Sequence, residues 1–457
     1  MNWVARVGFA GRFVVSSFTA ISMLLSAPAA EEVATKDSPA PRHRHDLTGV
    51  VNDAAGNPLN QANIFVYTAE PKEGTGVLCP SCYADCRKSA TTDANGHFKI
   101  ESLDPKLLFH ILVVAKGKEP NFVGKVDPAV KPLEISLKPA KESLQPDQQL
   151  KGRVLDPEGK PIAGAVVNIR GVVRGESTRY GGNEDLDQLA VSDDQGMFVI
   201  NSQVSFAAVG LDIEARGYAK GIFSPLASGT KVHELKLTEG ATVHGRLLKN
   251  GKPLSGVEMG ICGADRKAST YVGDYSVGTD KEGKFVFVNL PPGLDYFLYG
   301  RMASLRNHGA LAASRRHVGD DSSVLDAGDL QVYPGFRLAG RIHLNDGKPV
   351  PPKTRVLLSR NEAWDAVQTD TDTDGSFAFA GVPSESVKLS ARITGYRISE
   401  RNRSLDMVNR FGLIGLLKAH KTDLVLEFEP GEIQRGGRGG YVDLRQKPLL
   451  GAEASVK

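Results

Sequence analysis

The stretch from Cys79 to Cys86, reading CPSCYADC, holds three of the four cysteines in the chain: Cys79, Cys82 and Cys86. The fourth is Cys262. Thiols at this density can hold a metal, cycle a disulfide or staple a loop, and their setting decides among these. Haem attachment needs a histidine directly after the second cysteine, where Tyr83 stands. A thioredoxin-like motif needs a βαβ setting, which is missing. A zinc knuckle could join Cys79, Cys82 and Cys86 to Cys262 or His97.

The compartment bears on this choice. Residues 1–29 open with Arg6 and Arg12, continue through an apolar run from Phe13 to Leu25, and end on Ala27-Pro28-Ala29. Those are the three parts of a secretory signal peptide, and the apolar run falls short of the ~20 residues of a spanning helix. The mature chain is therefore expected in the periplasm, outside the cell or at its surface, with no integral membrane segment. Export favours disulfides over metal, and four cysteines form an even set with three pairings open. Of the 56 basic residues, Arg6 and Arg12 leave with the leader, so 54 face 53 acidic ones. So even a balance excludes nucleic acid as the main partner.

The elements that must position these groups repeat along the chain. An opening strand runs into a glycine turn and a proline four times: GVVNDAAGNPL from Gly49, GRVLDPEGKPI from Gly152, GRLLKNGKPL from Gly245 and GRIHLNDGKPV from Gly340. A second signature, T/S-D-x-x-G-x-F, follows in each copy: TDANGHF from Thr92, SDDQGMF from Ser192, TDKEGKF from Thr279 and TDTDGSF from Thr371. Polar turn formers and a glycine, followed by alternating apolar residues such as Phe198 and Ile200, predict a hairpin whose outgoing strand faces a core on one side. Each repeat spans enough residues for its own two-layer core, so the copies read as beads joined by linkers.

The two signatures together resemble the carboxypeptidase regulatory-like domain, a transthyretin-like sandwich grouped with carbohydrate-binding-like folds. The second copy, from Leu150 to Leu237, fits it best. The fourth has lost the small step after its proline and reads PVPPKTRV. The resemblance implies an all-β protein of four tandem seven- to eight-stranded Greek-key β-sandwiches. It implies no catalytic residues, because in metallocarboxypeptidases the zinc peptidase is a separate domain, and no H-E-x-x-H occurs here. The expected organisation is a signal peptide over 1–29, a linker over 30–45, and sandwiches over 46–140, 148–238, 241–333 and 336–430. A disordered Gly/Arg tail should occupy 431–457. The cysteine stretch is an insert in the first sandwich. One helix is conceivable, from Ser404 to Lys421, although Gly412 and Gly415 weaken it.

Other candidate chemistry is sparse. Asp370, Asp372 and Asp374 alternate as in a calcium loop, with Gly375 at the bend, but position twelve is Gly381 where a bidentate acid is needed. Hairpin chemistry accounts for the same residues. No G-x-S-x-G supports serine hydrolysis. Arg315-Arg316-His317 and Arg401-Asn402-Arg403 are charged runs that read first as solvated surface. His43 and His45 read as part of the N-terminal linker, and QRGGRGGYVDLRQK as an exported tail rather than an RNA-binding one. Sugar recognition needs exposed aromatic faces, and Trp364, Tyr180, Tyr271 and Tyr275 are the candidate platforms. The leading expectation is a non-catalytic exported binding or structural module without cofactor, whose partners are proteins or polysaccharides of the cell envelope. Carbohydrate binding through the loop aromatics, and a redox or zinc site in the insert, are the alternatives.

Overall fold

The computed structural model describes residues 44–72, 84–115, 117–130, 132–140, 145–180, 185–187, 189–402, 404–409, 415–418, 421–431 and 441–443. The expected leader, most of the linker and both Cys79 and Cys82 lie outside the described residues. The regular structure described is almost entirely strand, arranged as eight sheets that pair into four sandwiches. In the first, a three-stranded sheet built on His45–Asp53 faces a four-stranded one built on Asn63–Pro71 and Leu107–Val114. Leu47, Val51 and Phe98 from one layer and Ile64, Val66 and Ile111 from the other fill the space between. The second sandwich pairs three strands with five, the third four with four, and the fourth four with six.

One arrangement recurs in all four. The opening strand lies antiparallel to the strand after the T/S-D-x-x-G-x-F turn and parallel to the closing strand, as His45–Asp53 does between His97–Leu103 and Leu133–Leu137. Each opening glycine pairs across the ladder with the motif phenylalanine: Gly49 with Phe98, Gly152 with Phe198, Gly245 with Phe285 and Gly340 with Phe377. A Cβ on Gly49 would lie 2.7 Å from the Phe98 ring, and the Gly152 and Gly245 positions are as crowded by Phe198 and Phe285. Glycine stands there because the ring covers it.

The two signatures also touch. The motif glycines Gly96, Gly196 and Gly283 have positive φ, and a Cβ on any of them would strike the main chain of the opening strand. Their carbonyls accept from Val51, Val154 and Leu247 N–H, and Gly375 does the same for Ile342. In the first three sandwiches the motif hydroxyl bridges the loop after the proline. Thr92 Oγ1 donates to Leu59 O and accepts from Ala62 N, Ser192 Oγ serves Ile162 O and Ala165 N, and Thr279 Oγ1 serves Leu254 O and Val257 N. The fourth sandwich departs where its sequence does. Thr371 Oγ1 is buried without a partner, and Thr354 instead bonds Pro351 O locally.

Two expectations are corrected. Instead of a helix between Ser404 and Lys421, the strands Met407–Asn409 and Gly415–Lys418 pair antiparallel. Gly415 sits in that ladder with its Cα so close to Leu405 that a Cβ would collide, a strand role that outweighs the helical propensity of its neighbours. Part of the stretch expected as a disordered tail, Tyr441–Asp443, adds a strand beside Met407–Asn409, because that edge offers an open row of backbone groups. Each sandwich keeps a core of its own, and polar side chains cross each junction to bond main-chain groups of the next sandwich.

Candidate functional site

Of the insert cysteines only Cys86 is described. It lies in the 3-10 turn Ala84–Arg87 and is buried in the core of the first sandwich. Beside it the buried Asp85 anchors the end of the insert. Its carboxylate meets Arg44, sits 2.9 Å from Lys88 Nζ and accepts Asp104 N–H at 2.9 Å. Arg44, expected in the linker, is thus tied to the sandwich. His97 faces solvent on the strand His97–Leu103. Cys262 lies on the strand Glu258–Gly263 of the third sandwich. It is a free, buried thiol whose Sγ lies 3.7 Å from Glu362 O and 3.6 Å from Arg266, and burial pushes its pKa up. Peptide mapping after alkylation should find Cys262 unmodified in the folded protein and fully modified in denaturant without reductant. Resistance in denaturant would mean it is disulfide-bonded.

The aromatic candidates divide. Trp364, 51% exposed, stacks on Tyr271 at 5.5 Å with the rings 35° apart, and the Arg266 guanidinium sits 5.5 Å from the Trp364 ring. Tyr275 is half-buried against the core of the third sandwich and donates to Val272 O at 3.3 Å. Tyr180 is exposed on the strand Ser177–Tyr180 of the second sandwich, apart from the others.

The segment around Trp364 has a role that its sequence did not disclose. It docks the fourth sandwich on the third. Arg360, 2% exposed, forks onto Glu385 through Nε at 2.6 Å and Nη2 at 2.8 Å. The same guanidinium donates to Gly300 O at 2.9 Å and Leu311 O at 3.1 Å in the third sandwich, and it lies 5.2 Å from the Tyr299 ring centre. Asp365 accepts Met302 N–H at 2.8 Å, and Glu385 accepts Ala313 N–H at 2.9 Å. Burial holds the Asp365 pKa above its ordinary value, against the pull of the Met302 N–H and Arg360. Tyr299 donates to Trp364 O at 3.2 Å, and Cys262, Tyr299 and Ala363 form a small core between the two sandwiches.

The remaining junctions converge on a cleft of about 420 Å³ where the first three sandwiches meet. Tyr67, His110 and Phe122 come from the first, Glu214, Arg216 and Lys220 from the second, and Asp274 and Tyr275 from the third. Arg216 donates to Val66 O at 2.6 Å, and Asn289 donates to Gly217 O at 3.0 Å and Glu239 O at 2.7 Å, which fixes the walls. Burial, reinforced by Glu214, pushes the Tyr67 phenol well above its usual pKa. No sequence pattern could have assembled this site, because each wall belongs to a different repeat.

The calcium candidate is committed elsewhere. Asp374 Oδ1 accepts from Ser376 N at 3.0 Å and from its hydroxyl at 2.6 Å, Asp374 Oδ2 meets Arg341 at 3.1 Å, and Asp370 faces Arg355 at 3.5 Å. Among the described residues no group of three His, Cys, Asp or Glu is placed to hold a metal ion. Arg315 and His317 share Asp295, at 2.6 and 2.9 Å, so that run carries its own counter-charge. Arg403 lies outside the described residues, and Asn402 is buried.

No family model and no curated protein matches the chain. Solved structures resemble it distantly. The Bacillus anthracis TIE protein is 14% identical over 81% of this chain and 68% of its own, at a TM-score of 0.18. A Streptococcal ancillary pilin is 12% identical over 63% of this chain and 99% of its own, at 0.23. GBS52, the minor pilin of Streptococcus agalactiae, is 14% identical over 44% of this chain and 100% of its own, at 0.21. Scores this low carry nothing about activity or partner.

Proposed function

We propose that this chain is an exported, non-catalytic module of four β-sandwiches of the carboxypeptidase regulatory-like kind, acting as a rigid binding arm in the periplasm or at the cell surface. The seam between the third and fourth sandwiches carries this reading. Arg360 and Asp365 are buried and Glu385 nearly so, and each of these charged residues bonds main-chain groups of the neighbouring sandwich. A buried, fully bonded ionic network fixes one geometry and penalises others, since any opening leaves its charges unpaired. Side chains held this way set an angle between domains and leave their charges no freedom to act on a substrate. Proteins or polysaccharides of the envelope are the partners such an arm would present itself to.

Small-angle X-ray scattering on residues 30–457 tests the arm. A compact, well-defined profile that matches the four docked sandwiches is expected. The swollen, featureless profile of freely jointed beads would sink the reading, and recovery of the chain from the cytoplasmic fraction would sink its export.

A further inference from the structure

We propose that the cleft between the first three sandwiches is the ligand site of this arm and that it takes a neutral, hydroxyl-rich ligand, an oligosaccharide. The inference rests on the binding-arm reading and adds its ligand class. Four observations lead to it.

The first is place. Ligand sites form preferentially where domains meet, in clefts of about 300–1,000 Å³, and this cleft of about 420 Å³ has walls from three sandwiches locked by side-chain hydrogen bonds to main-chain carbonyls. The second is its aromatic content. Tyr67 and Phe122 lie 5.2 Å apart with tilted rings, and Tyr275 lines the cleft beside them. Such rings offer apolar faces to the C–H surface of a sugar and, in the tyrosines, a polar tip.

The third is charge. Glu214 is matched by Lys220 at 2.7 Å and Asp274 by Arg301 at 3.3 Å. Arg301 also meets Glu258 at 2.9 Å, and Arg216 adds a third cation. Glu214, Asp274 and Glu258 thus face Lys220, Arg301 and Arg216 in equal number, a balance that selects no ion, while the carboxylates keep spare lone pairs that a hydroxyl can fill. The fourth is His110. Its Nε2 is buried in the cleft wall and has no hydrogen-bond partner. A buried polar atom left unpaired costs free energy that a ligand can recover. A neutral imidazole nitrogen donates in one tautomer and accepts in the other, and a hydroxyl is the ligand group that satisfies either. An extended peptide is the rival occupant. It would pair through a row of backbone groups, whereas the polar groups here are side chains spread over three walls.

The test is calorimetric titration of the mature chain with four hexaoses: β-1,4- and α-1,4-linked glucose, β-1,4-linked xylose and β-1,4-linked N-acetylglucosamine. At least one should bind with Kd at or below ~1 mM. Tyr67→Ala and His110→Ala should each weaken it about tenfold or more. Trp364→Ala and Tyr180→Ala should leave it unchanged. Absence of binding by all four hexaoses overturns the proposal. So does binding that survives both cleft substitutions or falls with Trp364→Ala, or capture in the cleft of members of an uncharged decapeptide library instead. Scattering profiles of each variant identify any that has lost the fold; for those, Phe122→Ser, at a partly exposed position, replaces the substitution and must weaken binding likewise. A rigid profile without sugar binding removes this inference alone, whereas a flexible profile removes the arm.

Discussion

Arg360→Ala should destabilise the docking of the third and fourth sandwiches by about 3–5 kcal/mol, the usual cost of removing one partner from a buried ionic cluster. The guanidinium satisfies four acceptors at once: both oxygens of Glu385, Gly300 O and Leu311 O. Truncation strands the Glu385 carboxylate between the sandwiches and opens a void against the Tyr299 ring. It also leaves Asp365 with the Met302 N–H and the charge of Arg301 alone. Asp365 would then take up a proton more readily still, because the nearer of the two cations that favour its charged form has gone. Arg360→Lys should recover part of the loss, since a lysine retains the charge but cannot fork onto two carboxylate oxygens while reaching two carbonyls. The expected readouts are an earlier first transition in urea unfolding and a larger radius of gyration in scattering. A first transition at the wild-type midpoint would show that the apolar contact among Cys262, Tyr299 and Ala363 holds the seam without the ions.

Why this seam escaped the sequence, while the sandwiches did not, has a physical answer. The repeated signatures are local. A glycine at positive φ, an Asp that caps its own turn and a phenylalanine two residues on are all fixed by neighbours in the chain, as with Asp193, whose Oδ1 accepts from Gln195 and Met197 N–H. Alternation then places Phe198 and Ile200 inward whatever the rest of the protein does. Arg360 ends a strand of alternating pattern and looks like any surface arginine. Its partners lie 25 to 60 residues away, and two of them are main-chain carbonyls that no side-chain pattern encodes. Trp364, a candidate platform by residue type, lies in the same segment, whose members Arg360, Ala363 and Asp365 form the seam. The cleft is harder again. His110 and Tyr275 occupy ordinary strand positions, and only the packing of three repeats leaves the first of them without a partner.

Thr279→Val and Thr371→Val should differ sharply, although both replace the first residue of the same motif with a residue of the same shape. In the third sandwich the hydroxyl accepts Val257 N–H at 3.0 Å and donates to Leu254 O at 2.8 Å. Valine leaves both backbone groups unpaired in a buried turn, at about 1–3 kcal/mol for each such group. In the fourth sandwich Thr371 Oγ1 is buried without a partner, so valine removes an unsatisfied polar atom and should be neutral or slightly stabilising. Chemical denaturation of the two variants measures the contrast directly. The reason for it lies in the loop each threonine faces. In the third copy the loop after the proline presents a carbonyl and an amide to the hydroxyl, whereas PVPPKTRV satisfies its own Pro351 carbonyl through Thr354. Equal losses at both positions would mean that the methyl group and β-branching, rather than the bridge, set the value of this residue. A loss confined to Thr279 would show that the two sequence signatures form one physical unit. The fourth repeat would then have kept the letter of its motif after the contact it served was gone.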